Sequence, residues 1–290
     1  MAISRAQLVK ELEPGLNALF GLEYNRYDNQ HAEIYTNESS DRAFEEEVML
    51  SGFANAQVKG EGSGVSYDDA QETFTARYNH ETMALAFAIT EEAIEDNLYD
   101  RISSRYTKAL ARSMSNAKQV KAAAPLNNGL PSVATFKSGD AVSLFNTAHT
   151  TVSGKNVSNT LATQADLNET SLEQAMIDIS AMTDERGLRI AAKAVKMIVP
   201  PANQFNAERL MKSQGRTATA DNDINAIASM GMLPQGYRIN NFLTDTDAFY
   251  IITDVPNGMK MFTRTPLTTA MEGDFDTGNV RYKARERYSF

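Results

Sequence analysis

The longest uninterrupted helical stretch of the sequence is Thr90–Lys121, TEEAIEDNLYDRISSRYTKALARSMSNAKQVK. Thr90 is suited to cap its N-terminus, and acidic residues follow where the helix dipole is positive. Neither Gly nor Pro occurs before Pro125, so we expect the helix to end there. At about 1.5 Å per residue this stretch makes a rod of roughly 48 Å. The rest of the chain is therefore expected to be arranged around a long helix.

This predicted helix has two faces. One broad arc is mostly apolar and is expected to lie on a sheet: Leu98, Ile102, Tyr106, Ala109, Leu110, Ser113, Ala117 and Val120. The opposite side carries one cation per turn: Arg101, Arg105, Lys108 and Arg112. This basic stripe has two interpretations. It is either a solvated helix face, or a surface that meets a polyanion or an acidic neighbouring subunit.

The composition narrows the class of protein. The chain has 290 residues, 42% of them hydrophobic, a net charge of −9 and no Cys. The lack of Cys excludes disulfides and thiolate metal sites, and fits assembly in a reducing cytoplasm. No apolar run is long enough to span a membrane, so we expect no membrane partner. The acidic balance argues against a general nucleic-acid binder but allows local basic surfaces.

The N-terminal part predicts a helix followed by extended structure. Ser4–Phe20 has helical spacing of apolar residues, and Pro14 is expected to kink or end that helix. Gly21–Ser40 is polar and resembles an extended arm that docks elsewhere. Strands are expected at Phe44–Phe53 and Glu72–Ile89. The Gly-rich segment between them has no obvious covering material, so the hairpin is either disordered in the monomer or lies across a partner.

The remainder alternates short helices and strands, which indicates an α+β protein. Helices are expected at Ser171–Glu185, Phe205–Ser213 and Ile224–Met230, and strands at Arg189–Val199, Arg238–Leu243 and Ala248–Asp254. Pro256-Asn257-Gly258 predicts a turn to a returning strand, Met259–Thr263. Asn279–Phe290 alternates apolar and cationic residues and predicts a two-faced strand.

Motifs for chemistry are absent. The glycines at 60, 62 and 64 precede a strand and not a helix, so they do not form a dinucleotide loop. His31, His80 and His149 are isolated in sequence and are expected to be hydrogen-bonded structural residues. Asp245 and Asp247 are expected at a solvated strand end. We therefore predict no enzyme, no catalytic residue, no cofactor and no metal site.

Five stretches of the sequence form a recognisable series. The longest is Val58–Asp100, VKGEGSGVSYDDAQETFTARYNHETMALAFAITEEAIEDNLYD. The others are LFNTAHTTVSGKNV at 144–157, Val199-Pro200-Pro201 with Ala207-Glu208-Arg209 and Ser213, NFLTDTDAF at 241–249, and the basic strand at 279–290. In this shared order, the stretches resemble major capsid proteins of tailed bacteriophages with the Hong Kong 97-like fold.

The resemblance implies an α+β fold in four parts. Residues 1–42 would be an N-terminal arm and 43–80 an extended β-hairpin loop that lies over the adjacent subunit. Residues 81–164 would be a peripheral domain with the spine helix at 90–121, completed by the strand at 279–290. Residues 165–278 would be the axial domain.

The resemblance also implies a function and partners. The protein would self-assemble as hexamers and pentamers into an icosahedral shell around double-stranded DNA held nonspecifically. It would be assembled in the host cytoplasm and located in the virion. Because only residues 1–42 precede the hairpin, we expect a separate scaffolding protein and no proteolytic removal of an N-terminal region. A portal and decoration proteins would be further partners.

Two sets of residues would serve these contacts. The hairpin contact with a neighbouring subunit would use Lys59, Glu61, Tyr67, Asp68 and Asp69. The basic stripe, Arg101, Arg105, Lys108 and Arg112, would face the lumen and its DNA, or an acidic neighbour. We expect no covalent Lys–Asn crosslink. The alternatives are an encapsulin-like compartment shell and, from a different class, a soluble hydrolase that uses Asp residues.

Overall fold

The computed structural model describes residues 5–90, 92–93, 99–130, 136–216, 223–274 and 277–290, with the side chains of 5–12 and 99–102 left out. The helices are α1 (Arg5–Tyr24), α2 (Tyr99–Asn127), α3 (Glu169–Ala181), α4 (Gln204–Lys212) and α5 (Ala226–Met230), with 3₁₀ turns at Gln30–Glu33 and Pro201–Asn203. The strands are β1 (Thr36–Ser39), β2 (Phe44–Leu50), β3 (Glu72–Asn79), β4 (Glu81–Ile89), β5 (His149–Thr150), β6 (Asn156–Val157), β7 (Ala194–Val199), β8 (Tyr237–Ile239), β9 (Tyr250–Thr253), β10 (Lys260–Gly273) and β11 (Val280–Ser289).

The chain divides into two compact units. The first comprises Met1–Glu45, Tyr78–Ala122 and Met259–Phe290, and the second Glu46–Arg77 and Ala123–Gly258. The first unit has a four-stranded sheet in the order β1-β10-β11-β4, in which only β1 and β10 are parallel. The predicted C-terminal strand is confirmed as β11, whose residues alternate between buried and more exposed up to Tyr288. This alternation puts apolar side chains on one face of the sheet and cations on the other.

Helices α1 and α2 pack on the apolar face of this sheet. Their shared core is Leu16, Phe20, Leu110, Ala111, Met114, Tyr282 and Ala284. Helix α1 does not end at Pro14, which was one of the two effects predicted for that residue, because the helix runs on to Tyr24. Pro14 is exposed, so its ring points to solvent, and continuing the helix buries Leu16 and Phe20. That burial offsets the lost backbone hydrogen bond.

The predicted apolar arc of α2 is only partly correct. Tyr106 and Val120 are about half exposed, at 54% and 50%. The buried face consists mostly of small or polar residues: Ser103, Thr107, Leu110, Ala111, Met114, Ser115 and Gln119. Small side chains let a helix approach a sheet closely. The ring of Tyr106 instead lies 5.9 Å, centroid to centroid, from that of Phe87.

The described residues test the predicted end of α2, but only a small part of its predicted start. Thr90 accepts a hydrogen bond from the backbone N–H of Ala93 at 3.4 Å, as a cap does, but residues 91 and 94–98 lie outside the described part. The predicted stop at Pro125 is wrong, because α2 continues to Asn127. The terminal carbonyl of Leu126 accepts a hydrogen bond from the Tyr250 hydroxyl at 3.0 Å. A proline in the last turn removes only one helical hydrogen bond, and this side chain satisfies a carbonyl there.

The second unit has a three-stranded sheet in the order β8-β7-β9. The predicted buried strand is confirmed as β7, the central strand, where Met197, Ile198 and Val199 are fully buried. Helix α3 begins with a capping box in which Asn168 and Ser171 satisfy each other's backbone N–H groups. The core between the helices and this sheet includes Leu172, Met176, Leu210, Ile227 and Leu233.

Two strand predictions are wrong in the same way, because each treated two sheets as one. The predicted strand Glu72–Ile89 divides at His80 into β3, which pairs with β2, and β4, which pairs with β11. The turn at Asn257 has the expected left-handed backbone, with φ at 58°. It does not close a hairpin, because β9 pairs with β7 and β10 pairs with β1 and β11.

Candidate functional site

The segment between β2 and β3 is the most exposed part of the described chain. Residues 51–71 contain no helix or strand, and all of them except Ser51 are exposed. Val58 is 99% exposed and Tyr67 is 97% exposed. Large apolar side chains left in water mark an interaction surface when they cluster. Residues 51–71 are called the extended loop below.

The five predicted contact residues all lie in the extended loop and are all exposed: Lys59, Glu61, Tyr67, Asp68 and Asp69. The carboxylate of Asp68 also accepts a hydrogen bond from the backbone N–H of Ala54 at 2.6 Å. That hydrogen bond holds the pKa of Asp68 below its usual value. The loop is closed at its base by Ser51, whose N–H donates to the Gln71 carbonyl at 2.8 Å. The Ser51 hydroxyl in turn accepts from the Gln71 N–H at 2.9 Å.

Strands β2 and β3 carry the extended loop as a two-stranded ribbon. The Thr73 hydroxyl donates to the Met49 carbonyl at 2.9 Å, and Arg77 Nε donates to Glu46 at 2.7 Å. Val48, Met49 and Leu50 stay 45–65% exposed. A ribbon with so much exposed apolar area has little burial to stabilise it on its own. The geometry therefore provides apolar surface for contact with another molecule.

The basic stripe of α2 is solvent-facing in its described part. Arg105, Lys108 and Arg112 are exposed, and the side chain of Arg101 lies outside the described residues. Lys108 and Arg112 line an open depression of about 480 Å³. Its other walls include Glu23 and Tyr27. The stripe can therefore meet an anionic surface without any rearrangement of the helix.

The three histidines are hydrogen-bonded, as predicted. His31 Nδ1 lies 3.0 Å from the amide nitrogen of Gln119, and His149 Nδ1 lies 2.7 Å from Asp140. Burial and the ammonium of Lys118 lower the pKa of His31. Burial lowers the pKa of His80, with Arg287 adding to that shift.

His80 is part of a serine network that differs from a catalytic triad. The Ser40 hydroxyl donates to Glu45 at 2.6 Å and lies 2.9 Å from His80 Nε2. His80 Nδ1 lies 3.0 Å from the Ser289 hydroxyl. A nucleophilic serine donates to the histidine, and the carboxylate accepts from the histidine. Here the Ser40 hydroxyl donates to the carboxylate instead, and the network ties three chain segments together.

A second buried network was not anticipated from the sequence. Glu286 is 2% exposed. Its carboxylate accepts a hydrogen bond from the Tyr24 hydroxyl at 3.2 Å and lies 3.3 Å from Lys118 Nζ. Burial raises the pKa of Glu286, and Lys118 and Tyr24 oppose that shift. The clue in the sequence was that Glu286 occupies an inward position in the alternation of the last strand.

Within the described residues, no three His, Asp or Glu side chains are grouped to hold a metal ion. Asp245 and Asp247 are exposed and lie outside any strand, where the Asp247 N–H donates to Asp245 at 3.1 Å. The expected strand position of these two residues is wrong. None of the helices in the described part of the chain could cross a membrane.

A family described as phage capsid protein matches residues 72–290, well over half of the chain. The chain belongs to this family. No curated protein sequence matches this capsid protein.

The solved structures that resemble the capsid protein establish its fold. The capsid of bacteriophage JBD30, decorated with minor capsid protein trimers, matches with a TM-score of 0.56 at 10% identity, over 75% of this chain and 92% of that chain. The capsid of an empty GTA particle matches with a TM-score of 0.54 at 15% identity, over 91% and 86%. A virus-like particle from Pyrococcus furiosus matches with a TM-score of 0.50 at 11% identity, over 95% and 92%. The resemblance to Hong Kong 97-like capsid proteins is thereby confirmed, and the chain is a major capsid protein of a phage head shell.

Proposed function

We propose that copies of this capsid protein close an icosahedral shell of hexamers and pentamers through contacts made by the extended loop. The observation that carries the proposal is the near-complete exposure of Val58 and Tyr67. Repeated modest contacts, closed by symmetry, are sufficient to stabilise a shell. Lys59, Glu61 and Asp69 would add polar contacts at the same interface, whereas Asp68 would act by shaping the loop.

The shell would enclose double-stranded DNA held without sequence preference. Arg105, Lys108 and Arg112 support this proposal, because they are exposed cations on an otherwise acidic protein. Such contacts are made to phosphates and weaken with salt. Arg101 would continue the same stripe. The role is structural and not enzymatic, without cofactor or metal.

The assembly of a phage head implies further partner proteins. We propose a separate scaffolding protein and a portal, assembly in the host cytoplasm and final location in the virion. Decoration proteins are a further proposal, supported by the similar JBD30 capsid, which is decorated with minor capsid protein trimers.

The test is the assembly state of the protein, both when it is produced alone and when it is produced with the other head proteins of its phage. We expect shells, or free hexamers and pentamers, in negative-stain micrographs. Replacing Val58 and Tyr67 with Ser should leave subunits folded and abolish closed shells. A monodisperse monomer under all these conditions, or normal shells from the variant, would contradict the proposal.

An encapsulin-like compartment is a second candidate, because the Pyrococcus furiosus virus-like particle matches over 95% of this chain. The two candidates differ in contents, since a head packages DNA and a compartment packages protein. The ratio of nucleic acid to protein in purified particles from infected cells separates them. DNA-filled particles favour the phage head.

A further inference from the structure

A tight turn in the second unit presents Arg186 to the extended loop. Asp184 holds this turn, because its carboxylate accepts the N–H groups of Arg186 at 3.0 Å and Leu188 at 2.7 Å. The Asp184 N–H donates to the Leu188 carbonyl at 2.8 Å. Gly187 takes the left-handed position of the turn, with φ at 88°. These bonds fix the backbone on both sides of Arg186.

The turn is also anchored to the unit that carries it. Glu185 accepts a hydrogen bond from the backbone N–H of Val152 at 2.9 Å. Thr183 and Arg189 pair as a β-bridge across the base of the turn. Arg186 therefore projects from a rigid support, which is what a positioning side chain requires.

The Arg186 guanidinium binds both legs of the extended loop at once. Its Nε donates to the carbonyl of Gly52 at 3.2 Å on the outgoing leg. Its Nη2 donates to the carbonyl of Asp69 at 2.6 Å on the returning leg. A guanidinium is suited to this because its N–H donors form a rigid planar fork, whereas an ammonium is a single flexible point.

The two carbonyls lie just beyond the pair Ser51 and Gln71 that closes the loop. The legs are thus tied by the Ser51–Gln71 pair, by Arg186 and by the hydrogen bond from the Ala54 N–H to Asp68. Residues 55–67 beyond these ties are exposed. Because one planar guanidinium binds both carbonyls, it fixes the plane of the loop base and the distance between the two legs of the loop. The Arg186 clamp therefore sets the direction in which the loop leaves the unit.

We propose that Arg186 is a positioning residue for shell assembly, because it fixes the direction of the extended loop before a neighbour is met. This inference rests on the proposed role of the loop as an intersubunit contact. A loop already held in its bound direction loses less conformational freedom on association, so contacts form faster and last longer. Without the clamp, each copy must order its loop during assembly, and that cost is repeated at every interface.

The absence of Cys from the chain gives a direct test of loop direction. Two spin labels are attached through Val58→Cys at the loop and Ile177→Cys on α3, both in the second unit and both exposed. Pulsed electron resonance of unassembled subunits then gives the distance distribution between them. We expect a narrow distribution with Arg186 present and at least a twofold broader one in Arg186→Ala. Arg186→Lys should be intermediate, and Arg189→Ala, an exposed arginine of the same turn region, should match the unchanged protein.

Assembly is measured on the same substitutions without labels. Arg186→Ala should lower the yield of closed shells at least tenfold while its thermal midpoint stays close to that of the Arg189→Ala control. An unchanged distance distribution in Arg186→Ala would overturn the clamp. A broader distribution with normal shell yield would overturn its role in assembly. If instead the variant with Ser at positions 58 and 67 assembles normally, the proposed loop contact is wrong. The distance measurement still decides, independently, whether Arg186 holds the loop.

Discussion

The N-terminal segment and the extended loop are both polar, and both were expected from the sequence to reach another subunit. In the structure they differ. The N-terminal segment packs on its own unit, where Phe20 is 1% exposed and β1 is hydrogen-bonded beside β10. The extended loop leaves Tyr67 97% exposed.

The difference lies in how apolar residues are spaced. Leu16 and Phe20 are buried against their own sheet and helix, because their spacing of four places them on one side of α1. Ile34 and Tyr35, just before β1, are buried as well. The loop has isolated apolar residues among glycines and charges, so no single conformation buries them together. Mean polarity is similar in the two segments, but only the first has a pattern that can fold on its own chain.

The largest expected contrast comes from truncating one aromatic residue in each region. Phe20→Ala should lower the free energy of unfolding by about 3–5 kcal/mol, because it removes a fully buried ring. Tyr67→Ala should change it by less than about 0.5 kcal/mol, because the ring touches little. Denaturant unfolding of unassembled subunits measures both. If the two substitutions lower the free energy of unfolding equally, the two regions do not differ in the way described.

The next contrast concerns the buried ion pair of the first unit. Glu286→Ala should cost roughly 3 kcal/mol, because Lys118 and Tyr24 lose their partner in a dry setting. Glu272→Ala is the matched control, since Glu272 is an exposed carboxylate of the same sheet. Thermal unfolding compares the two. A loss no greater than that of the control would show that the network does not hold the N-terminal helix in place.

A third prediction concerns acid sensitivity. The pKa of His80 is lowered by burial in the folded chain, so the unfolded chain binds protons more readily at this site. Stability from the neutral ring is thus present above the ordinary histidine pKa and is lost as pH falls below it. The thermal midpoint should drop between pH 7.5 and 5.5, and it should drop less in His80→Asn. Parallel curves for the two proteins would contradict the role given to His80.

The smallest effect on stability is expected from the basic stripe. Replacing Arg105, Lys108 and Arg112 together with Gln should change the free energy of unfolding by less than about 0.5 kcal/mol, since all three are exposed. DNA per particle should fall, and the difference from the unchanged protein should shrink at higher salt, because salt weakens the phosphate contacts that the three cations make. Matched Gln substitutions at Lys155, Arg189 and Lys193, which are exposed in the second unit, serve as the control. If the two variants contain equal amounts of DNA per particle, the basic stripe has no role in packaging.

Sequence patterns predicted what depends on local periodicity. The alternation in β11 was confirmed because it is decided by a few adjacent residues. The buried face of α2 was mispredicted, since Thr107 is fully buried and Tyr106 is half exposed. Where a helix approaches a sheet closely, small residues are favoured over large apolar ones. The periodicity of hydrophobic residues does not indicate where such a close approach occurs.

Local sequence patterns did not predict which distant strands pair with each other. Local periodicity predicted one strand through His80, although the resemblance implied a boundary between residues 80 and 81. The hydrogen-bond partners of His80, Ser40 and Ser289, are far away in sequence. Likewise, Arg186 carries no local sign that it binds the carbonyls of Gly52 and Asp69. The exposed loop residues were predicted correctly as exposed, but the residue that orients them was not found.

Hydrogen exchange in free subunits and in assembled shells tests the central contrast most directly. The backbone amides of Thr36 and Ser40, at the two ends of β1, should be slow to exchange in both states, because they already donate to the carbonyls of Met259 and Thr263 within one chain. The amides of residues 54–67 should exchange fast in the free subunit and at least tenfold more slowly in the shell. Equal and fast exchange of residues 54–67 in both states would contradict the account of the extended loop as the contact between copies.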